Sequence, residues 1–509
     1  MSSQNKWKNT LKSICEISPF LRTYNDLGRL HPEKVWGNFA ALCEIPRMSL
    51  HEGKLIEYLI EWARSRGIES FVDSAGNLIL KKKASRGCED SEGVILQGHL
   101  DMVCQANSGT KHDFLRDPIK AIATDGWVIA EDTTLGADNG IGVALALAAL
   151  EEPDLINPAM ELLLTVNEEC GMDGARNLQP GTLQGRRLIN LDTEEWGHFY
   201  LGCSGGMDVG VRHGCRQERV PRGYTRVRFD VSGLRGGHSG IDIHHGRGNA
   251  IKLLAEAMRD LSSSTDVCLI TLKGGTARNA IPREAYAECA LPDEIASSID
   301  VWVEHRHDSW KKRFALADAG IRFTCSHGND LPESSVAREE RDRTLAFLDT
   351  VSNGVTHASQ DFPGVTDTSS NLGVASLENG VFEATLKVRS LYDARTSALA
   401  DKLVEHAQGY GLHAWKNGAY PAWTPNPFSP MLELCQNVYE REFGQPAGLQ
   451  VIHAGLECGL LASSHPHLDM ISFGPDIRGA HAPDERVEIE SVERCWRLLK
   501  ALLQEMAKN

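Results

Sequence analysis

Apolar residues recur at two spacings along the chain, and each spacing predicts a kind of element. In residues 33–46 and 52–67 they recur every three to four positions, as on one face of an amphipathic helix. Short apolar runs then alternate with a helical segment: strands are predicted at 77–82, 94–103, 161–169 and 187–192, with a helix at 141–152. This alternation predicts an α/β fold with a mainly parallel sheet. The helix at 141–152 is apolar nearly all round, so we expect it to be buried.

A different pattern begins near CSGGMDVG, at residues 203–210. Predicted strands and helices there follow an α+β order: strands at 225–234, 267–275, 285–291 and 381–390 and another just before residue 419, and helices at 248–261, 299–317, 337–352 and 397–411. The proline-rich segment 419–430 is a candidate boundary, after which the helix–strand–helix style of the first part returns. We therefore predict an N-terminal extension, a first part of an α/β domain, an inserted α+β domain and a second part of the α/β domain, at 1–30, 31–206, 207–424 and 425–509.

Composition and charge restrict the partners. The formal net charge of −16 argues against nucleic acid and anionic membrane surfaces, whose binding needs a basic surface. No apolar run approaches the length of about 18 residues that a membrane span requires. The 13 cysteines include no C-x-x-C pair, and the first 20 residues lack the apolar core of a signal peptide. These features predict a cytoplasmic protein with reduced thiols.

Five acidic and imidazole residues stand where an α/β enzyme would place a metal centre. His99, Glu169 and Asp192 each follow an apolar, strand-like run, where ligand crevices form in open sheets, while Asp138 and His481 lie in glycine-containing loops. Any one of them alone is commonly a solvated or capping side chain. Together, with Asp138 shared, they could give each of two divalent cations three protein ligands and leave room for a bridging water. His481 reaches this site only if the chain returns to its first domain after the insertion.

Two further acidic residues flank these candidates. Asp101 is two positions after His99 on the same face of the strand, which suits an outer partner of a metal-bound histidine. Glu168 precedes Glu169, and an unbound carboxylate there could act as a general base. Both glutamates can serve one site only where the chain is leaving the strand, and we expect the bend at Gly171 and Gly174.

Several stretches together resemble the co-catalytic zinc peptidases of the M20 clan. They are TTLGADNGIG, EECGMDGA, GGHSG, LKGGTARNAIPREA, HAGLECGL and PDERVEIESV, and the resemblance extends from about residue 31 to the C-terminus. Within the clan the chain is most similar to the aminoacyl-histidine dipeptidases, also called Xaa-His dipeptidases, peptidase D or cytosol nonspecific dipeptidases. Gly98, Ala480 and Ala482 depart from the usual pattern beside candidate ligands without replacing a ligand.

The resemblance implies a mechanism and a cofactor. It implies two divalent metal ions, Zn²⁺ with Co²⁺ or Mn²⁺ as alternatives, one held by His99, Asp138 and Asp192 and the other by Asp138, Glu169 and His481. It also implies that Glu168 is the general base, that Asp101 orients His99, and that the peptide bond after Asp138 is cis. The substrates would be unblocked dipeptides, in particular Xaa-His dipeptides such as carnosine-like compounds.

The resemblance also implies that the α/β domain is catalytic and that the insertion is a lid and dimerisation domain. His238 would stabilise the oxyanion, in dimeric relatives across the subunit boundary, and Asn279 and Arg389 would hold the substrate's terminal carboxylate and backbone. These residues would act on lid closure, and the protein would be a homodimer through the lid.

Three other interpretations of the function remain open. Residues 202–206 fit G-x-S-x-G, which would make Ser204 a nucleophile with His481 as its base, although a strand-like segment follows where an elbow needs a helix. An M20-type amidohydrolase that deacylates N-acyl amino acids is the alternative activity. A metal-binding relative without catalysis is the third reading, and the competent residue types at every candidate position argue against it.

Overall fold

The computed structural model describes residues 27–328 and 330–508, which form two compact units. Among the described residues, unit 1 runs to Leu201 and includes Asn426–Gln450 and the chain from Leu460 onward, whereas unit 2 comprises Gly202–Pro425 and Val451–Gly459. The predicted extension at 1–30 lies outside the described residues up to residue 26. The predicted domain boundaries after residues 206 and 424 stay predictions.

The first segment of unit 1 carries five helices and most of one sheet. Its helices are α1 (Glu33–Cys43), α2 (Gly53–Ser65), α3 (Ala137–Glu151), α4 (Glu168–Gly171) and α5 (Asp173–Arg176). Its strands are β1 (Glu69–Val72), β2 (Leu78–Lys82), β3 (Val94–His99), β4 (Ala121–Thr124), β5 (Trp127–Ala130), β6 (Met160–Thr165), β7 (Arg187–Asn190) and β8 (His198–Cys203).

The middle of the chain is richer in strands than the sequence pattern predicts. Its strands are β9 (Gly205–Gly214), β10 (Gln217–Arg219), β11 (Tyr224–Ser232), β12 (Gly237–His238), β13 (Cys268–Gly274), β14 (Ala280–Ile281), β15 (Ala285–Pro292), β16 (Arg322–Gly328), β17 (Ser334–Val336), β18 (Gly354–Ala358), β19 (Thr366–Glu378), β20 (Val381–Ser390) and β21 (His413–Tyr420). Its α-helices are α6 (Ala250–Ser264), α7 (Asp293–Ala296), α8 (Ile299–Arg313), α9 (Arg338–Thr350) and α10 (Asp393–Gly409).

The last segment returns to the helix–strand–helix style. Its elements are α11 (Pro430–Phe443), β22 (Gly448–Ile452), α12 (Glu457–Ser464), β23 (Asp469–Ser472), β24 (Ile477–Arg478), β25 (Arg486–Glu488) and α13 (Ile489–Met506). No helix among the described residues is both long enough and apolar enough to span a lipid bilayer.

The main sheet has the strand order β1-β2-β6-β3-β7-β23-β8-β22. Its centre is parallel, since β3 pairs in parallel with β6 and β7, and β7 pairs in parallel with β23. Antiparallel pairs lie towards both edges, at β1–β2, β2–β6 and β23–β8. The predicted α/β class is therefore confirmed, and β23 returns late in the sequence to a place beside β7.

Apolar content explains this parallel centre. Every residue of β3 and β6 is buried, as in strands that are covered on both faces. Helix α3 is buried along its length from Asn139 to Leu150, as its uniformly apolar sequence predicts. A four-stranded antiparallel sheet, β24-β25-β5-β4, adds to unit 1.

A row of polar side chains crosses the centre of the main sheet. Asn190 Nδ2 donates to Gln97 Oε1 at 2.5 Å, and Ser472 Oγ donates to Asn190 Oδ1 at 2.5 Å. Gln97 Nε2 also donates to Thr165 Oγ1 at 3.3 Å. All four residues are fully buried, and they come from β7, β3, β23 and β6. Gln97 and Asn190 each stand two positions before a candidate ligand, His99 and Asp192.

Unit 2 is built on an antiparallel sheet of nine strands, in the order β16-β11-β15-β13-β19-β20-β9-β21 with β18 beside β19. Helices α6, α8, α9 and α10 contribute apolar side chains to one core with this sheet. Asn249 caps α6, since its side chain accepts from the backbone N–H groups of Ile251 and Lys252.

Candidate active site

His99 ends β3 and points its ring into a cluster of carboxylates. The ring is 1% exposed, and its Nδ1 lies 3.1 Å from the backbone oxygen of Asp101. Its Nε2 lies 3.0 Å from Asp138 Oδ1 and 3.3 Å from Asp192 Oδ1. With the Nδ1 proton donated to the Asp101 carbonyl, the Nε2 lone pair faces two carboxylate oxygens. A positive charge among these three atoms, either a metal cation or a proton on Nε2, makes the contact favourable.

A second group of three forms around the other oxygen of Asp138. His481 Nε2 lies 3.2 Å from Asp138 Oδ2 and 3.1 Å from Glu169 Oε1. Asp138 has a non-helical backbone (φ −81°, ψ 110°) at the start of α3, and its peptide bond to Asn139 is cis, as the resemblance implies. One carboxylate therefore faces an imidazole with each of its two oxygens.

The geometry and donor set fit divalent cations. Ligand atoms at the usual distance from a tetrahedral Zn²⁺ lie about 3.3 Å from one another. In both groups the imidazole nitrogen lies 3.0–3.3 Å from its two carboxylate oxygens, which is close to this value. The ligand atoms of each group, His99–Asp138–Asp192 and Asp138–Glu169–His481, lie within 4.8 Å of one another. The structure thus brings all five predicted residues together, while their role as metal ligands stays a prediction.

Asp101 orders the backbone on which Glu168 and Glu169 stand. Its Oδ1 accepts from the N–H of Glu168 at 3.0 Å, and its Oδ2 accepts from the N–H of Glu169 at 3.1 Å and from Ser49 Oγ at 2.7 Å. Its Oδ1 also lies 3.4 Å from His99 Nδ1. Burial would raise the pKa of Asp101, but the neighbouring His99 ring, together with the hydrogen bonds from Ser49 and Glu168, lowers this pKa to about 2. A carboxylate oxygen of Glu168 lies within 4.8 Å of the ligand atoms of His99 and Glu169.

The bend that presents the two glutamates is made differently from the prediction. Asn167 and Met172 adopt positive φ angles of 55° and 56° on either side of α4. Neither Gly171 nor Gly174 has a positive φ, so the prediction that these glycines make the bend is wrong. Gly174 is needed for a different reason, because a Cβ there would lie 2.7 Å from the backbone nitrogen of Val166. Asparagine tolerates the left-handed conformation well, so Asn167 was the available signal.

Negative charge accumulates at the site beyond what two imidazoles neutralise. Burial raises the pKa of Asp192 to about 6, and the Asp138 carboxylate adds to this. Burial likewise raises the pKa of Glu194 to about 8, with Asp138 and Asp192 contributing. Hydrogen bonds to Asp138 and Glu169 raise the pKa of His481 to about 11. Such a field favours cations.

Sequence reasoning missed four residues around this cluster, namely Arg47, Ser49, Glu194 and Glu485. Glu194 stands two positions after Asp192 in LDTEE, so the sequence itself offered it as a further carboxylate beside a candidate ligand. Arg47 and Ser49 lie between the first two helices, far from any candidate ligand in the sequence, and carried no signal.

A polar group lies within unit 2 around Arg389, which is 4% exposed. Arg389 donates to the hydroxyl of Tyr420 at 2.7 Å, and its Nη2 lies 3.2 Å from His238 Nε2. His238 Nδ1 accepts from the N–H groups of Gly240 and Ile241, at 3.3 and 3.1 Å, so the ring proton is on Nε2. Two N–H donors thus converge, and in the described chain no ion pair joins Arg389 to a carboxylate. This arrangement suits an anionic or oxyanionic acceptor.

Asn279 lies beside this group on the backbone. Its carbonyl accepts from the N–H of Ser239 at 2.8 Å, and its side chain is exposed. His238, Asn279 and Arg389 all belong to unit 2, and their predicted contacts with substrate stay predictions.

Another cluster in unit 2, His213, Cys215 and Glu340, also has metal-ligand chemistry. Arg343 already occupies it, with its Nη1 2.7 Å from Glu340 Oε2 and 3.1 Å from His213 Nε2. The guanidinium neutralises the carboxylate, so this cluster does not need a metal ion.

The sequence model of peptidase family M20/M25/M40 matches residues 95–505. The chain belongs to this family. It is therefore an enzyme of the peptidase kind, as predicted.

Known M20 relatives extend over nearly the whole chain. The cytosol non-specific dipeptidase of Escherichia coli (strain K12) is 41% identical over 483 residues, which cover 95% of this chain and 99% of the relative. The crystal structure of aminoacylhistidine dipeptidase from Vibrio alginolyticus is 38% identical, with a TM-score of 0.85, covering 94% of this chain and 98% of that one. The aminopeptidase PepT from Bacillus cereus shares the fold at 16% identity and a TM-score of 0.55, covering 94% and 99% of the two chains.

The serine-hydrolase reading of this M20 chain is wrong. Ser204 is fully buried and is followed by β9, where a nucleophile elbow requires a helix. Its backbone N–H donates to the oxygen of Ile452 at 3.0 Å, which fixes it within sheet-like structure.

Proposed function

We propose that this M20 peptidase is a dipeptidase that hydrolyses unblocked dipeptides, Xaa-His dipeptides among them, with two divalent cations. The observation that carries the proposal is Asp138, whose two oxygens each face a different histidine, His99 and His481. The names of the E. coli and Vibrio relatives support the substrate class. We further propose Zn²⁺ as the cation, a homodimeric state and a cytoplasmic location.

The proposed ligands are His99, Asp138 and Asp192 for one cation, and Asp138, Glu169 and His481 for the other. When bound, two divalent cations would polarise the scissile carbonyl and acidify the attacking water. Glu168 takes a proton from this water and passes it to the leaving amine, so one water adds across the C–N bond. Asp101 holds the backbone of Glu168 and orients His99.

Unit 2 supplies the proposed groups that bind substrate. His238 donates its Nε2–H to the oxyanion, and burial together with the Arg389 charge lowers its pKa to about 4, so the ring stays a neutral donor at neutral pH. Arg389 binds the terminal carboxylate of the dipeptide, for which a buried guanidinium is well suited, and Asn279 binds the substrate's backbone.

Metal analysis and hydrolysis assays test the proposal. We expect about two divalent ions per chain, dipeptide hydrolysis that is lost on chelation and restored by Zn²⁺, Co²⁺ or Mn²⁺, and little hydrolysis of N-acyl amino acids. A preference for N-acyl amino acids would favour the amidohydrolase alternative. Hydrolysis that survives complete metal removal would exclude the metal-dependent mechanism.

The role of Glu168 has its own test. Glu168→Gln should keep the metal content of the wild type and lower kcat by about 100-fold or more, because the positioned acid–base group is lost. Glu131→Gln, at an exposed glutamate in unit 1, is the control and should change neither quantity. Full activity of Glu168→Gln would remove the assigned role.

A further inference from the structure

Two buried charged residues hold Gly136, which stands two positions before Asp138. The Arg47 guanidinium donates through Nη2 to the carbonyl of Gly136, and through Nη1 to the carbonyls of Leu100 and Asp101, both at 3.0 Å. Arg47 is 2% exposed. It thus joins the segment that follows His99 to the segment that leads to Asp138.

Glu485 holds the same segment from its other side. Its Oε2 accepts from the N–H groups of Leu135 and Gly136, at 2.8 and 2.9 Å, and its Oε1 accepts from the N–H of Asp138 at 3.2 Å. Glu485 is also 2% exposed. Because Glu485 is four residues after His481, it joins the His481 loop to the Asp138 segment.

The space around Gly136 and its backbone conformation both restrict which residue can stand at this position. This residue has a φ of 69°, and a Cβ there would lie 2.5 Å from Arg47 Nη2 and 2.8 Å from Met102 Sδ. Glycine is therefore required for both the backbone conformation and the close approach of the guanidinium. Buried charges are tolerated only when hydrogen-bonded, and Arg47 and Glu485 together make six hydrogen bonds to backbone groups of the ligand segments.

We propose that Arg47 and Glu485 are positioning residues that fix the backbone of Asp138 between His99 and His481 and thereby set the affinity for divalent cations. The inference rests on the proposed function, since it assumes that Asp138 is a shared ligand. Among the described residues neither side chain makes a hydrogen bond or ion pair with a proposed ligand atom, and both bond the peptide groups of the segments that carry the ligands. Outer groups of this kind commonly change metal affinity by about 10- to 100-fold.

Glu485→Gln is the principal test. The amide keeps the shape and one acceptor oxygen but places an N–H group against one of the three backbone donors. We expect the dissociation constant for Zn²⁺ or Co²⁺, measured on metal-free protein with a competing chelator, to rise about 10- to 100-fold. Arg47→Lys, which replaces the two guanidinium nitrogens on these carbonyls with a single ammonium nitrogen, should act in the same direction.

Glu161→Gln is a matched control. Glu161 is 7% exposed and accepts from the N–H groups of Gln184 and Gly185, at 2.7 and 2.8 Å, but it stands near the start of β6, at the end of the strand away from the site. It should lower thermal stability much as Glu485→Gln does and leave the metal dissociation constant unchanged.

The outcomes separate the two proposals. A wild type that binds no divalent ion would contradict the proposed function itself. Wild-type binding of two ions with equal affinity in Glu485→Gln and Arg47→Lys would overturn only the positioning role. Failure of both variants to fold, while Glu161→Gln folds, would also overturn it, because the residues would then serve the fold rather than the metal centre.

Discussion

Single histidines in unit 2 are kept neutral by their surroundings. Burial lowers the pKa of His453 to about 3, and the Arg389 charge and His238 act in the same direction. Its Nε2 lies 2.7 Å from Ser369 Oγ, and its Nδ1 has no hydrogen-bond partner among the described residues. The folded chain therefore holds the His453 ring in its neutral form.

This neutrality predicts an acid sensitivity of stability. Between pH 6.5 and about 3 the unfolded chain binds a proton at His453 that the folded chain does not, so stability falls as the pH falls. At pH 5 the loss through this residue is about 2 kcal/mol. Urea unfolding at pH 7 and pH 5 should show a smaller pH effect in His453→Gln than in the wild type.

The exposed His305 of α8 provides the control for this measurement. His305→Gln should retain the wild-type difference in free energy of unfolding between the two pH values. If His453→Gln retained it as well, His453 would not be the source of the acid sensitivity.

The candidate ligands could be predicted from the sequence, but the residues that hold their backbone in place could not. His99, Asp138 and His481 stand in motifs whose combination indicates a metal centre. Arg47 and Glu485 act through backbone groups, and such contacts leave no spacing pattern because any residue offers a carbonyl and nearly any offers an N–H. Only the folded chain shows which peptide groups they reach.

At the scale of elements, the polar row across β6, β3, β7 and β23 determines which strands can be neighbours in the parallel centre of the main sheet. Asn190 accepts from Ser472 and donates to Gln97, so its side chain joins three strands. A wrong strand neighbour or a shifted register would leave these buried groups unpaired, which is costly in an apolar interior.

Asn190→Ala should therefore destabilise unit 1. Removing the amide leaves buried hydrogen-bonding groups of Gln97 and Ser472 without this partner, and we expect a loss of about 2–4 kcal/mol in the free energy of unfolding. Denaturant unfolding measures it. Asn177→Ala, at an exposed asparagine of the same unit, should cost less than about 0.5 kcal/mol. Equal effects of the two changes would contradict a structural role of the row.

Elements with continuous apolar sequences were predictable, and polar buried strands were not. Strands β3, β6 and β7 follow apolar runs that predict them directly. Strand β19 begins TDTSSN, which resembles a loop in sequence, yet all six of these residues are buried. Their side chains are satisfied by tertiary partners, for example Thr368 Oγ1 by Ser390 Oγ at 2.9 Å. Such partners are remote in the sequence, so no local pattern reveals the strand.

At the scale of the whole molecule, the proposed metal ligands join parts of the chain that are far apart in sequence. The five residues run from His99 to His481, and all of them belong to unit 1. Cations that bind only where these segments are assembled stabilise the folded state by mass action.

Metal removal should therefore lower the thermal stability of the protein. With free metal at about 1,000 times Kd, the stabilisation is about 4 kcal/mol, and we expect chelation to lower the Tm by at least about 5 °C. Differential scanning calorimetry before and after chelation measures this shift, and re-addition of Zn²⁺ should reverse it. An unchanged Tm in protein shown to have lost its metal would contradict the proposed linkage.

The late position of β23 has a consequence for synthesis on the ribosome. β7 ends at Asn190, but its parallel neighbour begins at Asp469, so about 280 residues are translated before the pair can form, which takes about 14–56 s. During this interval the nascent chain presents β7 as an open edge, the kind of surface on which strands of other molecules add. When this protein is produced at high concentration, the open edge of β7 must therefore be protected from other strands until β23 has been translated.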